Sequence, residues 1–145
     1  MKHQITTATA LGLVLFAAAP AMGQDDGSAA QLASMEQYWQ SRGVTLTRVA
    51  EFTHVLQSGD DARDNVRLAD GANYLVMAAC GQGCMDMDLV VRNGNGATVG
   101  ADAEPDPTPI VNIDNASAGS HVVRASMAAC NIGSCQARIR VYRAE

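Results

Sequence analysis

The sequence predicts an all-β domain, an antiparallel sandwich or barrel of about eight strands behind one N-terminal amphipathic helix. Three observations predict it. From Val44 onward short β-type runs follow one another: Phe52–Leu56, Asn65–Leu68, Tyr74–Ala79, Met85–Arg92, Thr98–Ala101, Ile110–Ile113, His121–Ala128 and Gln136–Tyr142. Turn signals separate them, among them Ser58-Gly-Asp-Asp, Asp70-Gly71, Asn93-Gly-Asn-Gly96, Pro105-Asp-Pro-Thr-Pro109 and Ala118-Gly-Ser120. No helical run intervenes, which argues against an α/β fold.

At 145 residues the chain has room for one domain. Lys2 and His3 precede an apolar run from Ile5 to Ala19, and small residues follow at Ala21 and Gly23. A basic start, a run too short to span a bilayer and small residues at its end make a secretory signal. Cleavage is expected after Gly23, with Ala21 as the alternative. The chain thus divides into a signal peptide (1–23), an N-terminal helix and linker (24–50) and a β-sandwich (51–145). No later stretch is expected to insert stably in a membrane, and no cysteine near the junction suggests a lipid anchor. Fifteen acidic residues against ten Lys and Arg make the chain acidic, which argues against a nucleic-acid partner.

The helix is expected over Ser28–Arg42. Ser28 with Gln31 forms a capping-box pattern, and Gly43 stands where a left-handed stop belongs. Leu32, Met35 and Trp39 fall on one stripe, which either covers the domain's own core or docks on a partner. Among the strands, Met85, Met87, Leu89 and Val91 alternate with Asp86, Asp88, Val90 and Arg92, so the first set is expected inside. Ile139 and Val141 alternate in the same way with Arg138, Arg140 and Tyr142. A slip of one residue would bury aspartates or arginines, so both registers are specified.

Two stretches share one plan. Tyr74–Arg92 and His121–Tyr142 each carry Met-Ala-Ala-Cys, a short loop with Gly, a second Cys and an apolar strand. Four cysteines in an exported chain point to disulfides before metal. If each loop closes a hairpin, Cys80 faces Cys84 and Cys130 faces Cys135 at a separation a disulfide spans. Two local bridges are therefore expected. A zinc site of all four thiolates and a copper site using Met77, Met85, Met87 and Met127 are the metal alternatives. Core packing explains the methionines more simply.

The order of landmarks resembles a known family. Leu56-Gln-Ser-Gly59, followed by Val66-Arg-Leu-Ala-Asp-Gly71-Ala-Asn-Tyr74, is similar to the opening of bacterial pre-peptidase C-terminal domains. Asp86-Met-Asp88-Leu89 matches that family's D-x-D-L, and Asn95-Gly96 with Asp102 matches the segment after it. Ala118-Gly-Ser-His121-Val122 resembles the closing motif, with His121 at the aromatic position. The resemblance implies a jelly-roll-like β-sandwich concerned with binding, secretion or stabilisation, here standing alone and secreted rather than beside a hydrolase. Some members of that family bind calcium.

Asp86, Asp88, Asp102 and Asp106 form the acidic set that suits a Ca²⁺ site. The alternative has the aspartates solvated, or paired with Arg124, Arg138 or Arg140. For catalysis the inventory is thin: the mature chain holds only His54 and His121, and no G-x-S-x-G elbow. The expectation is a non-catalytic secreted or periplasmic module that binds or stabilises an envelope or extracellular protein or glycan. The alternatives are a small exported enzyme and a purely structural envelope protein.

Overall fold

Every expected strand forms, and most reach further than their apolar runs. The computed structural model describes residues 26–145; the expected signal peptide and its Gln24 junction lie outside the described residues. After helix α1 (Ser28–Ser41) come β1 (Leu46–Leu56), β2 (Asp61–Leu68), β3 (Asn73–Cys80) and β4 (Cys84–Arg92). Then follow β5 (Thr98–Asp102), β6 (Ile110–Ile113), β7 (Gly119–Cys130) and β8 (Cys135–Ala144). β1 begins inside the stretch read as linker, because Leu46–Arg48 keep pairing with β8 beyond an irregularity at Val49.

The strands make two antiparallel four-stranded sheets, β1–β8–β3–β6 (sheet I) and β2–β7–β4–β5 (sheet II). β1 pairs with β8, β2 with β7, β3 with β6 and β4 with β5. That is one long hairpin, tipped at the β4–β5 turn and rolled over on itself, the jelly-roll order. Rolling brings β3 beside β8 and β4 beside β7, which completes the sheets. Side chains from both inner faces fill the core, among them Val76, Leu89, Val91, Val123, Ile139 and Val141.

The rolled hairpin explains the repeated plan. The β3–β4 and β7–β8 loops are not hairpins within a sheet; each carries the chain from one sheet to the other. The two copies lie side by side, with Cys84 opposite Cys130. Cys80–Cys84 and Cys130–Cys135 are bonded, with Cα atoms 5.6 and 5.9 Å apart. Both bridges therefore join the two sheets at one end of the sandwich. Each closes so short a loop that its chain-entropy contribution is about 2 kcal/mol.

One register expectation needs correction. Met87, Leu89 and Val91 are buried as expected, but Met85 is 58% exposed. The pairing of β4 with β7 shifts between Cys84 and Asp86 and again between Asp86 and Met87, and these irregularities turn Met85 out of the alternation.

α1 lies on the outer face of sheet I. β3 is buried on both faces from Tyr74 to Cys80; Leu75, Met77 and Ala79 meet Leu32, with Met35 and Trp39 beside them. The stripe considered for a partner is thus the stripe on which α1 rests, and Leu32 is completely buried there. The expected Ser28–Gln31 capping box does not form. Gly27 is the N-cap, and Asp26 Oδ1 accepts both the Ser28 amide (3.1 Å) and its hydroxyl (2.7 Å), which occupies the serine. At the other end Gly43 takes the left-handed conformation expected of it (φ +83°), as the Gly43 amide bonds the Gln40 carbonyl.

Beneath α1 lies an ion network. Glu51 on β1 accepts Arg138 (2.7 Å), Arg140 (3.0 Å) and Arg48 (2.7 Å), while Arg140 also reaches Glu36 of the helix (2.6 Å). Tyr142 donates its phenol to the same Glu36 oxygen. Burial pushes the Glu51 carboxyl up, but Arg138, Arg140 and Arg48 outweigh it and hold it below its ordinary 4.5. A carboxyl lowered by folding stabilises fully above its unfolded value and loses that contribution as pH falls through the folded one. Glu51→Gln should therefore be less stable than the parent at pH 7, by roughly 1 kcal/mol for a partly exposed network. Denaturant titrations across pH should show the difference closing below pH 4.5; a difference independent of pH would refute the network's role.

Candidate functional site

α1 covers the centre of sheet I's outer face, and no element among the described residues covers that of sheet II. Its outward positions follow from strand alternation. On β2 they are Asp61, Arg63, Asn65 and Arg67; on β7, Ser120, Val122 and Arg124; on β4, Asp88, Val90 and Arg92. Their inward neighbours Ala62, Val66, Leu68, Val123, Ala125, Leu89 and Val91 are all buried in the core.

This face holds a groove of about 460 Å³ lined by Arg63, Asn65, Arg92, Asn93, Ser120 and Arg124, with Gly94 and Gly96 of the β4–β5 turn at its rim. Asn93 shapes that turn: its side-chain oxygen accepts the amides of Asn95 (3.1 Å) and Ala97 (3.0 Å). The arginines are undercompensated. Arg63 and Arg124 stand directly opposite each other across β2 and β7, an arrangement of like charges that costs stability. One carboxylate serves both: Asp61 Oδ2 lies 3.1 Å from Arg63 Nη2 and 3.4 Å from Arg124 Nε. Arg124 Nη2 also donates to Asp61 Oδ1 (3.5 Å), while its buried Nε–H makes no hydrogen bond. Among the described residues the Arg92 side chain has neither ion pair nor hydrogen bond.

The four aspartates are held by different elements, with Asp86 and Asp102 near enough to act on the charge of Asp88. Asp88 lies on the outer face, opposite Ser126. Asp86 sits half-buried at the irregular start of β4, with Oδ1 buried and without a hydrogen-bond partner. Asp102 pairs with Leu89, so it shares the inner face. Its two oxygens accept the amides of Glu104 (3.1 Å) and Ile110 (2.8 Å) and so tie β5 to β6 of the other sheet. Asp106 accepts the Thr108 amide (2.7 Å) within the proline-rich loop. Among the described residues no three His, Cys, Asp or Glu side chains are grouped to hold a metal ion. Arg138 and Arg140, considered as partners for Asp86 and Asp88, belong to the opposite sheet and to Glu51 and Glu36.

Neither His54 nor His121 faces the groove. His54 bonds Asp64 (2.8 Å) across the β1–β2 edge of the sandwich. His121 is buried opposite Val66, with Nδ1 3.2 Å from the Gly119 carbonyl. The methionines Met77, Met87 and Met127 are core residues.

The groove residues went unrecognised in the sequence for a local reason. The apolar signal of β2 begins at Asn65, so Arg63 falls outside the expected strand. Extending the alternation two residues back would have put Arg63, Asn65 and Arg67 on one outward row.

Burial pushes the Asp88 carboxyl up, and Asp86 and Asp102 push it further, against the pull of Arg124. The folded chain thus holds an Asp88 proton more tightly than the unfolded chain. Stability on this account is greatest below the unfolded value of 3.8 and falls as pH rises through the folded one. In a chelating buffer Asp88→Asn should raise the melting temperature at pH 7, and the gain should vanish at pH 3.5. A variant less stable than the parent at neutral pH would show that Asp88 makes a favourable contact instead. No protein-family model matches this chain and no curated protein matches it, so the likeness to pre-peptidase C-terminal domains rests on the motifs quoted above.

Proposed function

We propose that this protein is a non-catalytic binding module of the envelope or extracellular space, and that it takes oxyanions in the arginine groove of sheet II. The observation that carries the reading is the asymmetry of the two outer faces. Sheet I is covered by α1, and its arginines are matched by Glu36 and Glu51. No element among the described residues covers sheet II, and Arg63, Arg92 and Arg124 line its groove, with Asp61 paired to two of them and Asp88 acting on Arg124. A guanidinium fork binds a carboxylate, sulfate or phosphate through two parallel hydrogen bonds. Two bonded cysteine pairs fit an oxidising compartment. No helix among the described residues is long and apolar enough to cross a membrane.

Citrate serves as a probe of the groove. Amide shifts on titration should concentrate at Asn65, Arg92–Gly96 and Ser120–Arg124. Arg92→Ala should weaken the interaction about tenfold, the equivalent of 1.4 kcal/mol. Shifts scattered over sheet I, or an unchanged affinity in the variant, would refute the site.

A second reading is favoured by Asp86 and Asp88. The unpartnered Asp86 oxygen and the mutual repulsion of the two carboxylates suit a Ca²⁺ ion, with backbone carbonyls and water completing its six to eight oxygens. Calcium should then raise the melting temperature of the parent and not of Asp88→Asn. Equal melting in calcium and in chelator would exclude it.

A further inference from the structure

We infer that the ligand of the groove is a uronate-bearing polysaccharide, an inference that rests on the groove being the oxyanion site. The shape of the lining carries it. The 460 Å³ groove does not end at the β4–β5 turn: a second depression of about 320 Å³ shares Asn93, Gly94 and Ser120 with it and continues over Asn95, Ser117 and Gly119. One end of this surface is cationic, and the other offers only amides, a hydroxyl pair and backbone. A ligand that uses both ends carries negative charge and many neutral hydroxyl groups on one extended body.

The arginines themselves are divided into two positions. Arg63 and Arg124 form one row across β2 and β7, and Arg92 stands two residues further along, about 7 Å. Two separated carboxylates fill both positions, while a single free carboxylate fills only one. Asn65, Asn93 and Ser120 lie between and around them, where ring hydroxyls of a sugar both donate and accept.

Competing ligands fit less well. No aromatic ring lines either depression, so neutral glycans and nucleic-acid bases find no stacking platform. The chain's formal charge of −5, with Asp61 and Asp88 flanking the groove, opposes polymers that carry several charges per repeat. One carboxylate per ring meets far less of that opposition. An acidic peptide bound by strand addition would need a free sheet edge, whereas the groove runs over β2, β7 and β4, where β7 is paired on both sides; a peptide bound through the arginines alone would leave the neutral end unused and is the polyglutamate arm of the test below.

The test is titration calorimetry of the exported chain, with amide shifts as a second readout. The probes are oligogalacturonate, free galacturonate, a neutral maltooligosaccharide, heparin and polyglutamate. Oligogalacturonate should bind at least tenfold tighter than free galacturonate and lose at least tenfold in both Arg63→Ala and Arg92→Ala. Ser117→Trp, which obstructs the neutral end and leaves the arginines in place, should also weaken the oligomer while leaving free galacturonate unchanged. Maltooligosaccharide should not bind. Heparin or polyglutamate binding as tightly as oligogalacturonate, with the same sensitivity to Arg92, would overturn the uronate inference and leave the oxyanion groove standing. Failure of every anionic probe to respond to Arg63 and Arg92 would overturn both.

Discussion

Strand β3 has no polar side, and the architecture follows from covering both of its faces. From Tyr74 to Cys80 every side chain is buried. Val76 and Ala78 meet sheet II, which supplies the sandwich core. Leu75, Met77 and Ala79 point the other way, and leaving them in water would forfeit roughly 2 kcal/mol for a residue the size of leucine or methionine. α1 removes that exposure with Leu32, Met35 and Trp39. The helix is therefore committed to sheet I, and no element among the described residues covers sheet II.

Covering that centre obliges β8 to place charge under the helix. Arg138 and Arg140 occupy the outward positions beside β3, and Arg140 is nearly buried at 11% side-chain exposure. A buried guanidinium is costly unless its fork is filled, and Glu51 with Glu36 fills it. Burial lowers the affinity of Arg140 for its proton, but Glu36 and Tyr142 reverse that and raise it. The helix is held by apolar contact and oriented by this network. Next to this network, where Arg138 Nε donates to Ser28 Oγ (3.2 Å) at the start of α1, a Cβ on Gly81 would collide with the backbone and carboxylate of Asp26, so the chain entering α1 rests directly on the β3–β4 loop.

Much of this was legible in the residues. Turn signals and apolar runs placed eight strands, and spacing alone paired Cys80 with Cys84 and Cys130 with Cys135. The helix stop at Gly43 followed from its flanking pattern. What was not legible depended on which sheet each strand enters. Alternation reports two faces but not which sheet they belong to, so the cysteine loops read as hairpins although they cross between sheets. The same ambiguity hid that Asp102, paired with Leu89, turns inward to the Ile110 amide while still acting on the charge of Asp88. Met85 escaped because a bulge breaks the two-residue period without any mark in composition. The arginine groove gathers residues from β2, β4 and β7, separated by up to 61 positions between Arg63 and Arg124, and no local motif announces it.

The charges on β4 show how strand geometry prepares such a site. Asp88 and Arg92 are four residues apart, a spacing that in a helix would set them side by side as an ion pair. In a strand the same spacing separates them by roughly 13 Å, on one face but out of reach. At physiological ionic strength that distance exceeds the screening length of about 8 Å, so neither charge satisfies the other. β4 therefore carries an acidic start and a basic end that stay electrically independent. Asp61, at the corresponding level of β2 opposite Ser126, continues the acidic end across the sheet. An anion settling over Arg63, Arg124 and Arg92 meets this boundary on one side and the neutral Asn95–Ser117 surface on the other. Its path is directed away from the disulfide end and over the tip of the rolled hairpin.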